Sequence, residues 1–260
     1  SLSIAALEAG KHVFCQARLA MDAADAQTMV DAAKKADKTA MICPPPHYME
    51  GDRLVRRLIK EGFLGELRTM LVRSYSNSFA DPRKPLHWRE IGSISGVNTM
   101  DVGMMSEVTT RWVGTAARVM AFARTTYETR PTESGGRAKV DRPDVLSAIC
   151  EMRGGGIGTF MVSTVVHHGA PNFIELYGSD GTIKYVMGAD HIMAGKAGGG
   201  LERVDISPAE WRHWTVEQDF IEAVRNGNRS PEPSFEAGLN YMKFTEAVFK
   251  SADSGKAVEV

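Results

Sequence analysis

Three short runs carry side chains whose chemistry goes beyond packing. His87-Trp88-Arg89 offers a group that titrates near neutral pH, a ring that can stack on another ring, and a guanidinium that anchors an anion. The bland alternative is a loop packed on its tryptophan. Asp101 stands near the start of an otherwise apolar run, where a carboxylate either serves chemistry or complements the helix dipole. His167-His168 closes an apolar run before Gly169. Successive strand side chains point to opposite faces, so at most one of this pair can enter a shared pocket, as substrate ligand or proton carrier. No metal site is expected from it, or from Cys15, Cys43 and Cys150, which are far apart. Tyr75 and Asn77 close a long strand-like run and can line the same pocket. Arg18 adds a cation that stays charged and is therefore a poor proton shuttle.

The elements that must position these groups change character near residue 65. Ser1–Ala9 reads as a helix stopped by Gly10, His12–Cys15 as a short strand, Asp22–Lys35 as an amphipathic helix, Thr39–Cys43 as a strand closed by Pro44-Pro45-Pro46, and Arg53–Lys60 as a helix. That alternation predicts a parallel sheet with right-handed crossovers. Beyond it come a strand at Leu67–Tyr75, a polar loop at Asp81–Ile94 and a helix over Asn98–Trp112. Strands follow at Ala117–Ala123, Val145–Met152, Gly158–His167, Phe173–Tyr177 and Thr182–Val186, with turns at 153–156 and 178–181. These predict an antiparallel meander. Ala194–Gly200 reads as a glycine-rich surface loop, Glu217–Arg225 and Phe235–Ala252 as helices, and Val258–Val260 as a small strand. Ser234 is placed to cap the last helix. Met100, Met104 and Met105 recur at helical spacing, as core residues do. The fold class expected is α/β followed by α+β: a partial Rossmann-like unit over 1–65, then a mostly antiparallel open-sheet domain over 66–260.

Composition excludes several functions. The 260 residues are 43% hydrophobic and 24% charged, with a formal net charge of -1. No basic tract is present to neutralise phosphates, so nucleic acid is not expected as a partner. No apolar run approaches the roughly 20 residues needed to cross a bilayer. With an odd number of scattered cysteines, a reducing cytoplasm is the natural location.

The order of these segments also carries a resemblance. Ala5-Ala6-Leu7-Glu8-Ala9-Gly10-Lys11-His12-Val13 opens a stretch running to Ala20 that is similar to A-L-E-A-G-K-H-V-x-x-E-K-P-L-A. Leu58-Ile59-Lys60-Glu61-Gly62-Phe63-Leu64-Gly65 looks like a second junction, L-I-x-x-G-x-I-G. Trp88-Arg89, Asp101-Val102-Gly103, Leu176–Ile183 and Pro233–Leu239 follow in the right order. Together they resemble the glucose–fructose oxidoreductase/inositol dehydrogenase (Gfo/Idh/MocA) family. The resemblance implies a hydride moving between nicotinamide and a carbinol carbon, with a loop Lys, poised by a His and an Asp, handling the hydroxyl proton. Carried over position by position, Glu, Lys and Pro of the loop become Gln16, Ala17 and Arg18. The His of D-x-G-x-H becomes Met105, and an Asp three residues later becomes Val108. Asp101 alone survives.

Expectations follow from this. Gln16, Ala17, Arg18 and Trp88 would meet the cofactor. Arg89, Met105, Tyr75, Asn77, His167 and His168 would face the substrate, and Asp101 and His87 would carry the proton chemistry. The Gly-rich turn of a dinucleotide site is not found in 1–65 and in the family precedes the opening stretch, so the natural chain is expected to be longer. NAD or NADP is expected only with that half in place. The function implied is an NAD(P)-dependent oxidoreductase for a small sugar-, polyol- or cyclic-diol-like substrate. Two alternatives stand beside it: a catalytically degenerate binding or assembly subunit, and a different reaction in the same pocket, such as elimination or aromatising oxidation of a cyclic diol. Open sheets of this family form dimer faces, which implies a homodimer or homotetramer.

Overall fold

The computed structural model describes residues 1–43, 49–97, 100–189 and 191–260. Pro44-Pro45-Pro46 and the proposed helix start at Asn98 lie outside these. Helix α1 (Leu2–Glu8) starts where the Ser1 hydroxyl accepts the Ile4 amide, and the chain turns at Gly10 in the left-handed region, φ 74°. Strand β1 (Val13–Cys15) pairs in parallel with β2 (Ala40–Ile42), Val13 opposite Ala40 and Cys15 opposite Ile42. Between them α2 (Ala23–Ala36) is capped by the Asp22 carboxylate, which accepts the Asp25 amide at 2.8 Å.

Neither strand is long enough to make a core. Leu7, Val13, Met29, Val30 and Ile42 are buried against Phe235, Leu239 and Met242 of the far-distant helix α7 (Phe235–Ser254). Ser234 caps that helix, its hydroxyl accepting the Ala237 amide at 3.1 Å. The approach is close at Gly238, where a Cβ would stand 2.3 Å from the Ile42 side chain and 2.7 Å from that of Leu19.

Helix α3 (Asp52–Lys60) buries Leu54, Val55 and Leu58 in the other, larger core. This core covers one face of a nine-stranded sheet. Its strands, among the described residues, are β3 (Leu67–Tyr75), β4 (Ala116–Arg124), β7 (Val145–Met152), β8 (Ile157–Ser163), β9 (Phe173–Gly178), β10 (Gly181–Val186), β11 (His191–Lys196), β12 (Glu202–Val204) and β13 (Val258–Glu259). They lie in the order β12-β11-β10-β9-β3-β8-β7-β4-β13. The hairpin of β5 (Thr129–Pro131) and β6 (Arg137–Lys139) stands apart. Helix α4 (Gly92–Ser95) is a single turn, α5 (Val102–Val113) packs on the sheet, and α6 (Val216–Arg225) lies near β1.

The sheet is not a simple meander. Strand β3 inserts between β9 and β8 and runs parallel to β8, with Thr69 opposite Ile157 and Tyr75 opposite Ser163. Early and late segments must therefore meet, which sequence-neighbour pairing does not foretell. Four other expectations shift. Helix α5 starts at Val102, because Met100 has φ 52° and cannot continue a right-handed helix. Strand β8 ends at Ser163, so His167 and His168 sit in a turn, His168 at φ 53°. Ala194–Lys196 belongs to β11, paired with Gly181–Ile183, and only the residues after it form the glycine-rich turn. The polar loop after β3 contains a 3-10 turn at Trp88–Glu90 and α4.

The sheet's outer face is open. Phe122 is 71% exposed and Ile149 57%, with Met120 and Ile157 also exposed beside them.

The Gly238 contact gives a direct test of how α7 is seated. Helix propensity alone favours Ala over Gly by about 1 kcal/mol. Overpacking against Ile42 and Leu19 costs about 1–3 kcal/mol and should win. Gly238→Ala is therefore expected to lower the denaturant midpoint. A variant as stable as the parent would show that the contact has room to give.

Candidate functional site

The cleft is built from three segments that meet over the C-terminal end of β1. The first is the loop Gln16–Leu19. The Leu19 amide donates to the buried Tyr241 hydroxyl of α7, which fixes where the loop leaves the strand. Arg18 then reaches across and donates to the Met100 carbonyl at 2.6 Å. That carbonyl is presented by the left-handed turn just before α5. Burial and the neighbouring Arg89 guanidinium push the Arg18 pKa down, while Asp101 opposes the shift.

The second segment is that turn. Asp101 occupies the cap position of α5 but makes no capping bond. Its carboxylate instead accepts the Ser74 hydroxyl of β3 at 2.8 Å. The carboxylate is thus held for the cleft and not for its own helix.

The third is the loop leading to the 3-10 turn. Arg130, 1% exposed, ties it down by donating to Glu90 and to the Phe79 and Asp81 carbonyls. Glu90 accepts the His87 amide at 3.0 Å, and His87 Nδ1 accepts the Arg89 amide at 3.2 Å. With Nδ1 an acceptor, the neutral ring carries its proton on Nε2. His87 packs between Phe79 and Trp88, at centroid distances of 5.4 and 5.5 Å. Burial first, then Arg89, pushes its pKa below the usual imidazole value, so the ring is neutral at pH 7.

These segments enclose a cleft of about 910 Å³. Gln16, Ala17, Arg18, His87, Arg89 and Asp101 all line it. Trp88 faces an adjoining pocket of about 490 Å³, with the Arg89 guanidinium 4.3 Å from its ring centre. Arg89 lines both spaces. Other assignments fall elsewhere. Met105 is 1% exposed and belongs to the core, because α5 turns that side toward the sheet; Met104 lines the cleft in its place. Tyr75 and Asn77 do not line the cleft, whereas their neighbours Ser76 and Ser78 do. His167 and His168 are exposed in their turn and also stand outside it.

The family model for the GFO/IDH/MocA C-terminal domain matches residues 53–184, about half of the chain. The chain belongs to the GFO/IDH/MocA family. Over its whole length it is 26% identical to levoglucosan dehydrogenase of Pseudarthrobacter phenanthrenivorans, covering 76% of that protein. It is also 26% identical to 1,5-anhydro-D-fructose reductase of Ensifer adhaerens, over 99% of this chain and 75% of that one. Among solved structures, an oxidoreductase domain protein from Kribbella flavida matches with a TM-score of 0.91 at 26% identity, covering 100% of this chain and 77% of that one. Levoglucosan dehydrogenase in complex with NADH and L-sorbose matches with a TM-score of 0.91 at 25% identity, covering 100% and 76%. The chain thus spans about three-quarters of the length of these relatives.

Within this GFO/IDH/MocA cleft, Lys84, Glu133, Trp214 and Glu217 add polar and aromatic lining that sequence reading did not select. The dense run Trp211-Arg212-His213-Trp214 was the available signal, but nothing local says that its last residue lines the cleft.

The position of His87 yields a measurable consequence. Arg89→Gln removes one of the two influences depressing the imidazole and leaves burial in place. Its NMR titration midpoint is expected to rise part of the way toward the ordinary histidine value. An unchanged midpoint would mean that the guanidinium is not felt at the ring.

Proposed function

We propose that this protein is an NAD(P)-dependent dehydrogenase of a small hydroxylated sugar, polyol or cyclic-diol-like substrate. The observation that carries the reading is the convergence of Gln16, Ala17, Arg18, His87, Arg89 and Asp101 on one 910 Å³ cleft. Residues 1–65 would serve the cofactor and 66–260 the substrate, with α3 sharing the larger core. With a Gly-rich turn supplied in addition to these residues, the donor set fits a nicotinamide dinucleotide. Gln16 supplies an amide, Arg18 and Arg89 supply guanidinium donors for negative oxygens, and Ala17 leaves space between them. Bound there, the cofactor would supply a hydride acceptor. Asp101 and Arg89 would orient the substrate hydroxyls, and neutral His87 would donate through Nε2 to an oxygen that gains negative charge. The names of the relatives make levoglucosan and 1,5-anhydro-D-fructose the first probes. Three unpaired cysteines suit a cytoplasmic location.

Titration of the full-length natural gene product with NADH and NADPH, followed by fluorescence, tests this reading. One of the two should bind, and the bound form should turn over at least one sugar or anhydro sugar of a panel. A full-length protein that binds neither supports the second reading, a degenerate binding or assembly subunit, which Ala17 favours because it cannot titrate.

The exposed apolar face around Phe122 supports a homodimer or homotetramer through the open sheet. Phe122→Asp is expected to shift the mass in light scattering to that of a monomer. A wild-type protein that is already monomeric would overturn this assignment.

A further inference from the structure

The two half-exposed tryptophans of the site divide between its two spaces. Trp88 lines the smaller pocket and Trp214 the larger cleft. Trp214 is 47% exposed, and among the described residues it is the one exposed aromatic side chain lining that cleft. Phe14 and Phe79 line it too, but both are committed to other rings. Phe14 stacks on Phe220 at 5.4 Å, and Phe79 packs on His87 at 5.4 Å.

The exposure of Trp214 is not that of a loose end. Two residues before it, the Arg212 amide donates to the Glu50 carbonyl at 3.0 Å, and the guanidinium donates to the buried Asp52 carboxylate at 2.9 Å. Two residues after it, Val216 is 0% exposed and packs with Met41 and Cys43. The indole Nε1 donates to Glu217 Oε1 at 3.2 Å. The ring is therefore anchored on both flanks and along its N–H edge, yet half of its surface stays in water. Leaving that much apolar surface uncovered forgoes burial that folding ordinarily gains. Holding it in one place in advance lowers the ordering cost for whatever covers it later. The Glu217 charge is also felt inside the cleft, since burial first and then this carboxylate push the Cys43 thiol up.

We propose that Trp214 is the platform on which a pyranose ring stacks, which makes the preferred substrate a cyclic sugar and not an open-chain polyol. The inference rests on the dehydrogenase reading above and narrows its substrate class. A pyranose with equatorial hydroxyls presents axial C–H bonds on both faces. Those hydrogens carry slight positive charge and suit the negative face of an indole, while the ring carbons leave water. The hydroxyls at the rim need polar partners. The second oxygen of Glu217, with Lys84 and Glu133 of the same lining, can supply them. An open chain of the same hydroxyls has no such face and must be ordered on binding. Because Trp88 and not Trp214 borders the smaller pocket, this stacking is separate from dinucleotide binding.

The test compares two ligands of matched hydroxyl configuration, 1,5-anhydro-D-glucitol and D-glucitol, on the full-length natural gene product. Each is measured by KM, or by its inhibition constant against the best pyranose of a panel. NADH affinity is followed by fluorescence. The wild type should prefer the ring over the chain. Trp214→Ala should weaken the ring ligand about 10-fold, with D-glucitol and NADH nearly unaffected, so that the preference disappears. Trp214→Phe should restore most of it, which a merely structural role would not do for one ligand alone. A wild type that oxidises alcohols but binds D-glucitol as tightly as the ring overturns this assignment whatever the variants do. So does a Trp214→Ala protein that weakens both ligands alike, or one that loses NADH as strongly as sugar, since the indole would then serve the cofactor. If the wild type oxidises no alcohol, the dehydrogenase reading falls and takes this one with it.

Discussion

Helix α7 is the element on which the cleft depends. Its 20 residues are shared between two cores: Phe235, Leu239 and Met242 face the small parallel sheet, and Phe244, Val248 and Phe249 face the large one. Tyr241 lies at the junction and holds the Leu19 amide. The loop bearing Gln16, Ala17 and Arg18 is therefore located by a helix more than 200 residues away in the chain, not by its own strand. A three-residue strand cannot fix a loop by itself. A helix anchored in two apolar cores can, because displacing it would disturb the packing of both.

The opposite wall is fixed by charge, not by apolar packing. Arg130 and Glu90 are both buried, and placing such a pair in a low-dielectric interior costs about as much as the attraction returns. What the pair contributes is position. Every strong donor of Arg130 ends on Phe79, Asp81 or Glu90, so the loop that carries His87 and Arg89 has one arrangement that satisfies them. Glu90 in turn holds the His87 amide. The neutral state of His87 thus has the same origin as its location, a ring packed between two others with a guanidinium beside it.

Local signals were legible where they act locally. Ser234 caps the helix that its residue type announced, and Val145–Met152 is a strand because its alternation puts Leu146, Ala148 and Cys150 inside. The family motifs located the loop, the 3-10 turn and Asp101, which do share a cleft. What could not be read was set by distant partners. Met105 and Met104 are adjacent and chemically identical, so which one faces the cleft depends on how α5 is rotated against the sheet. Strand β3 lies beside β8 because of tertiary pairing across some 90 residues, which no window of sequence contains. His167 and His168 follow an apolar run that continues past the end of the ladder, so periodicity overstated the strand. Glu107 is buried beside Arg111 although an acidic residue inside a helix ordinarily faces solvent, and only the packed structure shows it.

In the dehydrogenase proposed, Ala17 with a guanidinium next to it would separate two duties that one lysine would combine. A lysine in a cleft both stabilises a developing negative oxygen and moves a proton. Arg18 would keep the first, since a guanidinium is charged at any pH the protein meets and offers fixed donors. It cannot perform the second for the same reason.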